Sequence, residues 1–402
     1  MSPKMHCTAL ESPLNCLAVN KDCSQVVVAG RNVFKIFDIA DGEFVERINL
    51  RVGRSLNLNF SAADVTWNPI DGHLLASAAT NGAVVLWNLN KPSRSKQEHV
   101  YVEHRQAVNR VVFHHSESSL LISGSRDGSM KLFDLRKEMV TTTFGGHMDS
   151  VRDVQFNPHQ FYMFASAYEN GNIQLWDMRN PSRWERQFTA HSGPIFSIDW
   201  HPEEHYWIGS ASRDKMIRVW DLQNPSKVTN TYNIQTIASV ARIRWRPQRK
   251  FHIASCALLL DFNVNVWDVR RPYIPFAAFA EHKDVVTGIV WKHGDPHTFL
   301  SSSKDCMLYQ HLFRDATRPA DAANPVGIDI NPTGSILYAS SDKLAPTSTG
   351  SKAGNTLQAK MSPLFRRAPD LSEQFTKVTS CLSEFADIHQ ASMVTAHQCM
   401  SS

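Results

Sequence analysis

One ending recurs along this chain. The stretches VFKIFDI (33–39), VVLWNL (84–89), MKLFDL (130–135), IQLWDM (173–178), IRVWDL (217–222) and VNVWDV (264–269) each run through strand-forming residues to an aromatic and then Asp or Asn. The aromatic positions are Phe37, Trp87, Phe133, Trp176, Trp220 and Trp267, and a seventh unit, SSSKDCMLYQHLF, places His311 at the same point. Successive spacings are 50, 46, 43, 44, 47 and 44 residues. A unit of that length cannot bury a core alone, so the units must pack on one another.

The inside of the unit is ruled as strictly as its length. Six residues before the aromatic position stands a turn residue: Asn81, Asp127, Asn170, Asp214, Asp261 and Asp305. Four residues earlier stands a serine in five units: Ser77, Ser123, Ser166, Ser210 and Ser301. Twenty-nine residues before the aromatic position stands a histidine in four units: His104, His147, His191 and His282. The intervening text, such as VRDVQF and YMFASAY, reads as strands.

This ruler resembles the WD-repeat family over roughly residues 7–320, with full sets at His191, Ser210, Asp214 and Trp220 and at His147, Ser166, Asn170 and Trp176. The resemblance implies an all-β, seven-bladed β-propeller over 1–320. It also implies that the histidine precedes a blade's first strand, the serine lies on the second and the aspartate caps the turn before the third. Buried strand ends of this kind need paired polar groups. The first, second and sixth units lack the histidine, so apolar packing is expected to hold their edges.

His, Ser and Asp in one unit invite a hydrolase reading, but the trio recurs in several units and no nucleophile elbow accompanies it. GxGxxG, P-loop and HExxH patterns are absent from the sequence. The seven cysteines include no CxxC pair, and no Cys/His group has zinc spacing. HHSESS (114–119) reads as a loop. No enzyme activity, cofactor or metal is expected. The scattered thiols fit a reducing compartment, and no run approaches the ~18 apolar residues of a membrane span. A soluble intracellular protein is the expectation.

Three units carry aromatic-Asp-x-Arg, ending at Arg136, Arg179 and Arg270. This resembles the box by which some WD-repeat proteins dock on cullin-type ubiquitin ligases, which makes a ligase substrate receptor the alternative function. The stretch VARIRWRPQRK (240–250) carries five cations, but Trp245 aligns with Phe156 and Trp200, which makes 240–247 a first strand. Ile243 and Trp245 then face one blade while Arg242 and Arg244 face the other way. No nucleic-acid partner is expected from two arginines and a net charge of +4.

Other cations flank the repeat markers. Arg105 and Lys283 follow His104 and His282; Arg126, Arg213 and Lys304 precede Asp127, Asp214 and Asp305. With Arg242 they form a candidate electropositive rim, partly offset by Asp149 and Asp284, suited to an acidic partner surface.

The text between the markers, including VVVAGRNVFKIF, INLRVGRSLNLNFSAADVTWN and VNVWDVRRPYIPFAAFAEHKDVVTGIVW, resembles the propeller subunits of the second GATOR complex. That resemblance implies a non-catalytic scaffold promoting amino-acid-dependent activation of the TOR kinase complex. It implies coat-type propeller partners related to nuclear-pore subunits and a cytoplasmic location, peripheral at the lysosomal membrane through partners. The family ends in a helical segment and a RING-type zinc module, and the sequence stops at Ser402 before either. Ligase activity and zinc binding are therefore not expected of these residues.

Residues 321–402 read as a hairpin at 326–341, which closes the ring or completes a partner's, then a disordered linker. A helix is expected at 371–388, with Leu371, Phe375, Val378, Leu382, Phe385 and Ile388 on one stripe and Asp370 as N-cap.

Overall fold

The computed structural model describes residues 6–40, 43–51, 61–92, 96–145, 149–322, 326–330 and 336–340. The chain divides into two compact units, Met1–Ala320 and Asp321–Ser402. Among the described residues the first unit holds seven antiparallel four-stranded sheets, the blades of a propeller. Blade 1 runs Leu14–Val19, Gln25–Gly30, Phe34–Ala40 and Glu43–Asn49. Blades 2 to 6 repeat that meander.

The innermost strands are Leu14–Val19, Ala62–Trp67, Val108–Phe113, Val151–Phe156, Ile195–Trp200, Val240–Trp245 and Val286–Trp291. Each breaks register just after its first residue. A bulge adds one unpaired residue and bends the strand. The extra residues are Asn15, Ala63, Asn109, Arg152, Phe196, Ala241 and Thr287, and all seven line one cavity at the mouth of the central channel. Three of them reach the next blade. Asn15 Nδ2 donates to Ala62 O (2.8 Å), Asn109 Nδ2 to Val151 O (2.6 Å) and Thr287 Oγ1 to Leu14 O (3.0 Å).

Buried apolar side chains gather between neighbouring blades. Cys16, Ile36, Val65 and Trp87 join blades 1 and 2, and Ile198, Ile208, Leu175 and Ala165 join blades 4 and 5. Ala211, Ile217, Ile243 and Trp245 join blades 5 and 6. A Cβ on Gly209 would lie 3.1 Å from Ile253 and 3.2 Å from Trp245 Nε1, so blade 6 packs directly on the backbone of blade 5.

At the channel end opposite the mouth, side chains in the loops after the inner strands tie neighbouring blades together at six of the seven junctions. Asn68 Nδ2 donates to Ser118 O (2.8 Å), His114 Nε2 to Phe161 O (2.9 Å) and His159 Nε2 to His201 O (3.0 Å). His201 Nε2 donates to Lys250 O (2.9 Å), Arg246 Nε to Pro296 O (2.6 Å), and the His293 amide to Cys23 Sγ (3.1 Å). His114, inside HHSESS, is therefore a stitch between blades 3 and 4.

The seam joins the two ends of the ring. Blade 7 contributes Val286–Trp291, Thr298–Ser303 and Met307–Leu312, and its fourth strand is the N-terminal His6–Ala9, paired from His6↔Gln310 to Ala9↔Met307. Within the hairpin expected at 326–341, Val326–Ile330 and Ile336–Ser340 pair with each other in a two-stranded sheet. The turn of that hairpin and the helix expected at 371–388 lie outside the described residues. Deleting residues 1–9 bares the Met307–Leu312 edge and removes its ladder, which should cost about 2–4 kcal/mol from the lost hydrogen bonds. Chemical unfolding of the shortened chain measures this; an unchanged midpoint would mean that the seam is held elsewhere.

Candidate docking rim and channel mouth

The marker residues meet as the ruler requires. In blade 5, Trp220 Nε1 donates to Ser210 Oγ (2.9 Å), Ser210 Oγ lies 2.7 Å from His191 Nε2, and His191 Nδ1 lies 2.9 Å from Asp214 Oδ2. Because the aspartate carboxylate can only accept, the imidazole carries a proton on Nδ1, and a neutral ring then accepts the serine proton at Nε2. In blade 3, His104 spans Ser123 (2.6 Å) and Asp127 (3.2 Å); in blade 7, His282 spans Ser301 (2.7 Å) and Asp305 (3.0 Å). His311 takes the indole's place in blade 7, with Nε2 2.6 Å from Ser301 Oγ. Ser123, Ser210 and Ser301 are fully buried, so none offers its hydroxyl to a substrate.

Other blades keep part of the chain. Trp87 donates to Ser77 (3.0 Å), while Asn81 accepts from the Ala83 amide. Trp176 donates to Ser166 (3.1 Å), Asn170 accepts from the Asn172 amide, and His147 lies outside the described residues. In blade 6, Trp267 donates to Ser255 (2.9 Å), a serine that the fixed offset misses because the turn is longer there. Asp261 accepts from the Asn263 amide and the Asn265 side chain.

This chemistry also aims the flanking cations. The amides of Arg105 and Lys283 each donate to the tetrad aspartate (2.9 Å), and the amides of Arg126, Arg213 and Lys304 bind carbonyls of the loop leading into the first strand. With the backbone held inward, all five side chains are exposed. None of the five forms an ion pair with a described residue. Asp149 is exposed nearby, and the Asp284 carboxylate caps the Val285 amide.

Arg242 is the exception and corrects the sequence expectation. The bulge at Ala241 carries it off the rim and into the channel wall, where its side chain is 18% exposed and 3.9 Å from Asp64. Asp64 is already engaged by Arg110 (3.0 Å) and the Val111 amide (3.1 Å). Arg110 also lies 3.0 Å from Asp153, which accepts from the Ile198 amide; Asp199 holds Arg244 (2.9 Å) and the Trp245 amide (2.8 Å). Burial first, then Arg110, push the Arg242 guanidinium below its ordinary value. Asp64, Arg110, Arg242 and Arg244 line a cavity of about 200 Å³ within the channel. The mouth cavity above it, about 250 Å³, is lined by Arg242, Arg152, Lys304 and Leu258. Ile243 and Trp245 are buried toward blade 5, as strand alternation requires.

Arg136, Arg179 and Arg270 lie at the other end of the ring. Each guanidinium turns back on the aspartate two residues before it, at 3.1, 2.6 and 2.8 Å respectively. Arg179 also covers Tyr162, and Arg270 covers Phe251. Among the described residues no group of three or more His, Cys, Asp or Glu is placed to hold a metal ion.

Seven such blades, one with the full buried Trp–Ser–His–Asp chain and five others with part of it among the described residues, define a WD-repeat β-propeller, and the chain belongs to that family. The family model for the WD domain, G-beta repeat matches residues 95–134, 138–177 and 183–221. A solved chain in the crystal structure of the mitotic checkpoint complex shares the fold at TM-score 0.64 and 19% identity, covering 76% of this chain and 90% of that one. The chain is homologous to the GATOR2 complex protein WDR24. It is 53% identical to the Danio rerio protein over 94% of this chain and 49% of that protein, and 50% identical to the Homo sapiens protein over 95% and 48%. The Drosophila melanogaster relative is 47% identical over 90% and 46%. The chain thus spans about half the length of these relatives.

Acid should weaken the fold through the tetrads. Burial lowers the pKa of His104, His191 and His282, outweighing the opposite pull of Asp127, Asp214 and Asp305. The unfolded chain then binds more protons than the folded one as pH falls through about 6.5, so stability is fully present above that value and lost below it. The aspartates act with the same sign at lower pH. Burial alone would raise them, but hydrogen bonds, led by Ser129 at Asp127, hold Asp127 down to about 2. His191→Ala should cost about 1–3 kcal/mol at pH 7.5 by leaving Ser210 and Asp214 short of a partner. It should also flatten the decline in denaturation midpoint between pH 7.5 and 5.5. A parallel decline in both chains would contradict this assignment.

Proposed function

We propose that this chain is a non-catalytic scaffold subunit of the GATOR2 assembly, promoting amino-acid-dependent activation of the TOR kinase complex at the lysosome. The observation that carries the reading is 50–53% identity to GATOR2 complex proteins along nearly the whole chain. A propeller suits the part, since its rims present many loops on a rigid ring. Its partners in this reading are other subunits of the assembly, including pore- or coat-type propellers. Among the described residues no helix is long and apolar enough to cross a membrane, which fits attachment through partners.

The rim of Arg105, Arg126, Arg213, Lys283 and Lys304 is the proposed docking face. Exposed cations without internal carboxylates favour an acidic partner, and complementary charge speeds encounter and fixes register. Affinity purification of the tagged chain from cells, with mass spectrometry, should recover GATOR2 subunits; recovery of none would overturn the reading. The triple variant Arg126→Glu, Arg213→Glu and Lys304→Glu should fold normally and recover less of them, with the deficit greatest at low salt. Equal recovery at low salt would leave the rim a solvated surface.

A further inference from the structure

The turn between second and third strands has three residues in blades 1 to 5 and 7, as in Arg126–Gly128 and Arg213–Lys215. In blade 6 it has six, residues 258–263, between His252–Ala257 and Val264–Asp268. The longer turn puts leucines where solvent is. Leu259 is 61% exposed and Leu260 86%, and Ile237 in the adjoining loop is 77% exposed. Isolated exposed apolar residues are ordinary, but here three stand on hydrogen-bonded neighbouring loops. The Leu258 amide donates to Ser239 O (2.7 Å), Ser239 Oγ to Arg213 O (2.9 Å) and the Thr236 amide to Lys215 O (2.8 Å).

Leu260 is also held at φ +71°. Left-handed backbone at the third turn residue is met elsewhere by Gly82, Gly128 and Gly171, or by Lys215 and Cys306. A leucine there is strained and gains no burial in return. Neither packing nor backbone geometry accounts for it.

The surroundings are cationic. Arg213 and Lys215 are exposed, and Leu258 lines the channel mouth beside Arg242 and Lys304. The carboxylates within this region are engaged by the fold: Asp214 by His191 and the Met216 amide, Asp261 by Asn263 and Asn265, and Asp305 by His282 and the Lys283 amide.

We infer that the rim over blades 5 and 6 is the docking site for an acidic partner segment bearing a large apolar side chain. The apolar side chain sits on Leu259, Leu260 and Ile237, and the acidic groups face Arg213, Lys215 and the cations of the mouth. This deepens the rim reading above, and rests on it, by naming the partner's chemistry and the blades it meets.

The test is selection of phage-displayed random dodecapeptides on the immobilised chain, followed by affinity measurement of the winners as synthetic peptides. Enriched peptides should combine Asp or Glu with Leu, Phe or Trp. Their affinity should fall about tenfold in Leu260→Gly and in Arg213→Glu, a change of about 1.4 kcal/mol in binding. Leu260→Gly relieves the left-handed strain, so its melting temperature should be equal or higher, which separates lost binding from lost folding. Failure to enrich any peptide, enrichment of neutral or basic peptides, or binding indifferent to both substitutions would overturn the site. Peptides that behave as expected, from a chain that recovers no GATOR2 subunit, would sink the assembly reading and leave this site standing.

Discussion

A lone blade of this chain would expose an apolar face on each side, and no single sheet here has a core of its own. What stabilises each blade is the pair of neighbours against it, as the clusters shared by blades 1 and 2 and by blades 5 and 6 illustrate. Closure of the ring is therefore the condition for every other feature. The inner strands converge at the channel, where polar links replace apolar contact. Asp64, Asp153 and Asp199 each bind an amide of the following blade, while Arg110 bridges blade 3 to blades 2 and 4 and Arg244 bridges blades 5 and 6 with charge. Buried ion pairs are weak evidence of stability, but removing one partner leaves an expensive charge behind, which favours retaining them together.

Much of this was legible in the sequence because the constraint repeats. The His, Ser, Asp and Trp markers have to reach one another inside each blade, which fixes their spacing. Where the backbone departs from the average unit, the spacing misleads. Ser255 escapes the ruler because the blade 6 turn is longer, although SCALLLDF has visibly extra residues before the next strand. Arg242 stands near the start of its strand, which suggests the rim, but the bulge at Ala241 carries its side chain into the channel wall, a shift that sequence position does not reveal. The stitches by Asn68, His114, His201 and Arg246 recur just after each inner strand, but their residue types differ. Only the shared geometry makes them equivalent. The seam strand His6–Ala9 was within view as MHCTAL, but its pairing spans almost the entire ring, a distance that local pattern does not encode.

The two ends of the channel differ in how they handle charge. At the far end, Arg136, Arg179 and Arg270 are each neutralised by an aspartate of the same strand end. On the tetrad rim the aspartates face inward to histidines and amides, so the adjacent cations keep their field in solvent. The same arrangement that satisfies buried polar groups thereby leaves Arg105, Arg126, Arg213, Lys283 and Lys304 exposed along one rim. The docking proposed for that rim would use a surface that the fold's own requirements create.

Lysine footprinting separates the two ends most directly. Acetylation rates of Lys215, Lys283 and Lys304 on the rim, and of exposed Lys137 and Lys250 at the opposite end, can be compared between the isolated chain and the chain within its purified assembly. The account predicts slowed modification of the rim lysines with Lys137 and Lys250 unchanged. Slowed modification of Lys137 and Lys250, with the rim as reactive as in the isolated chain, would contradict it.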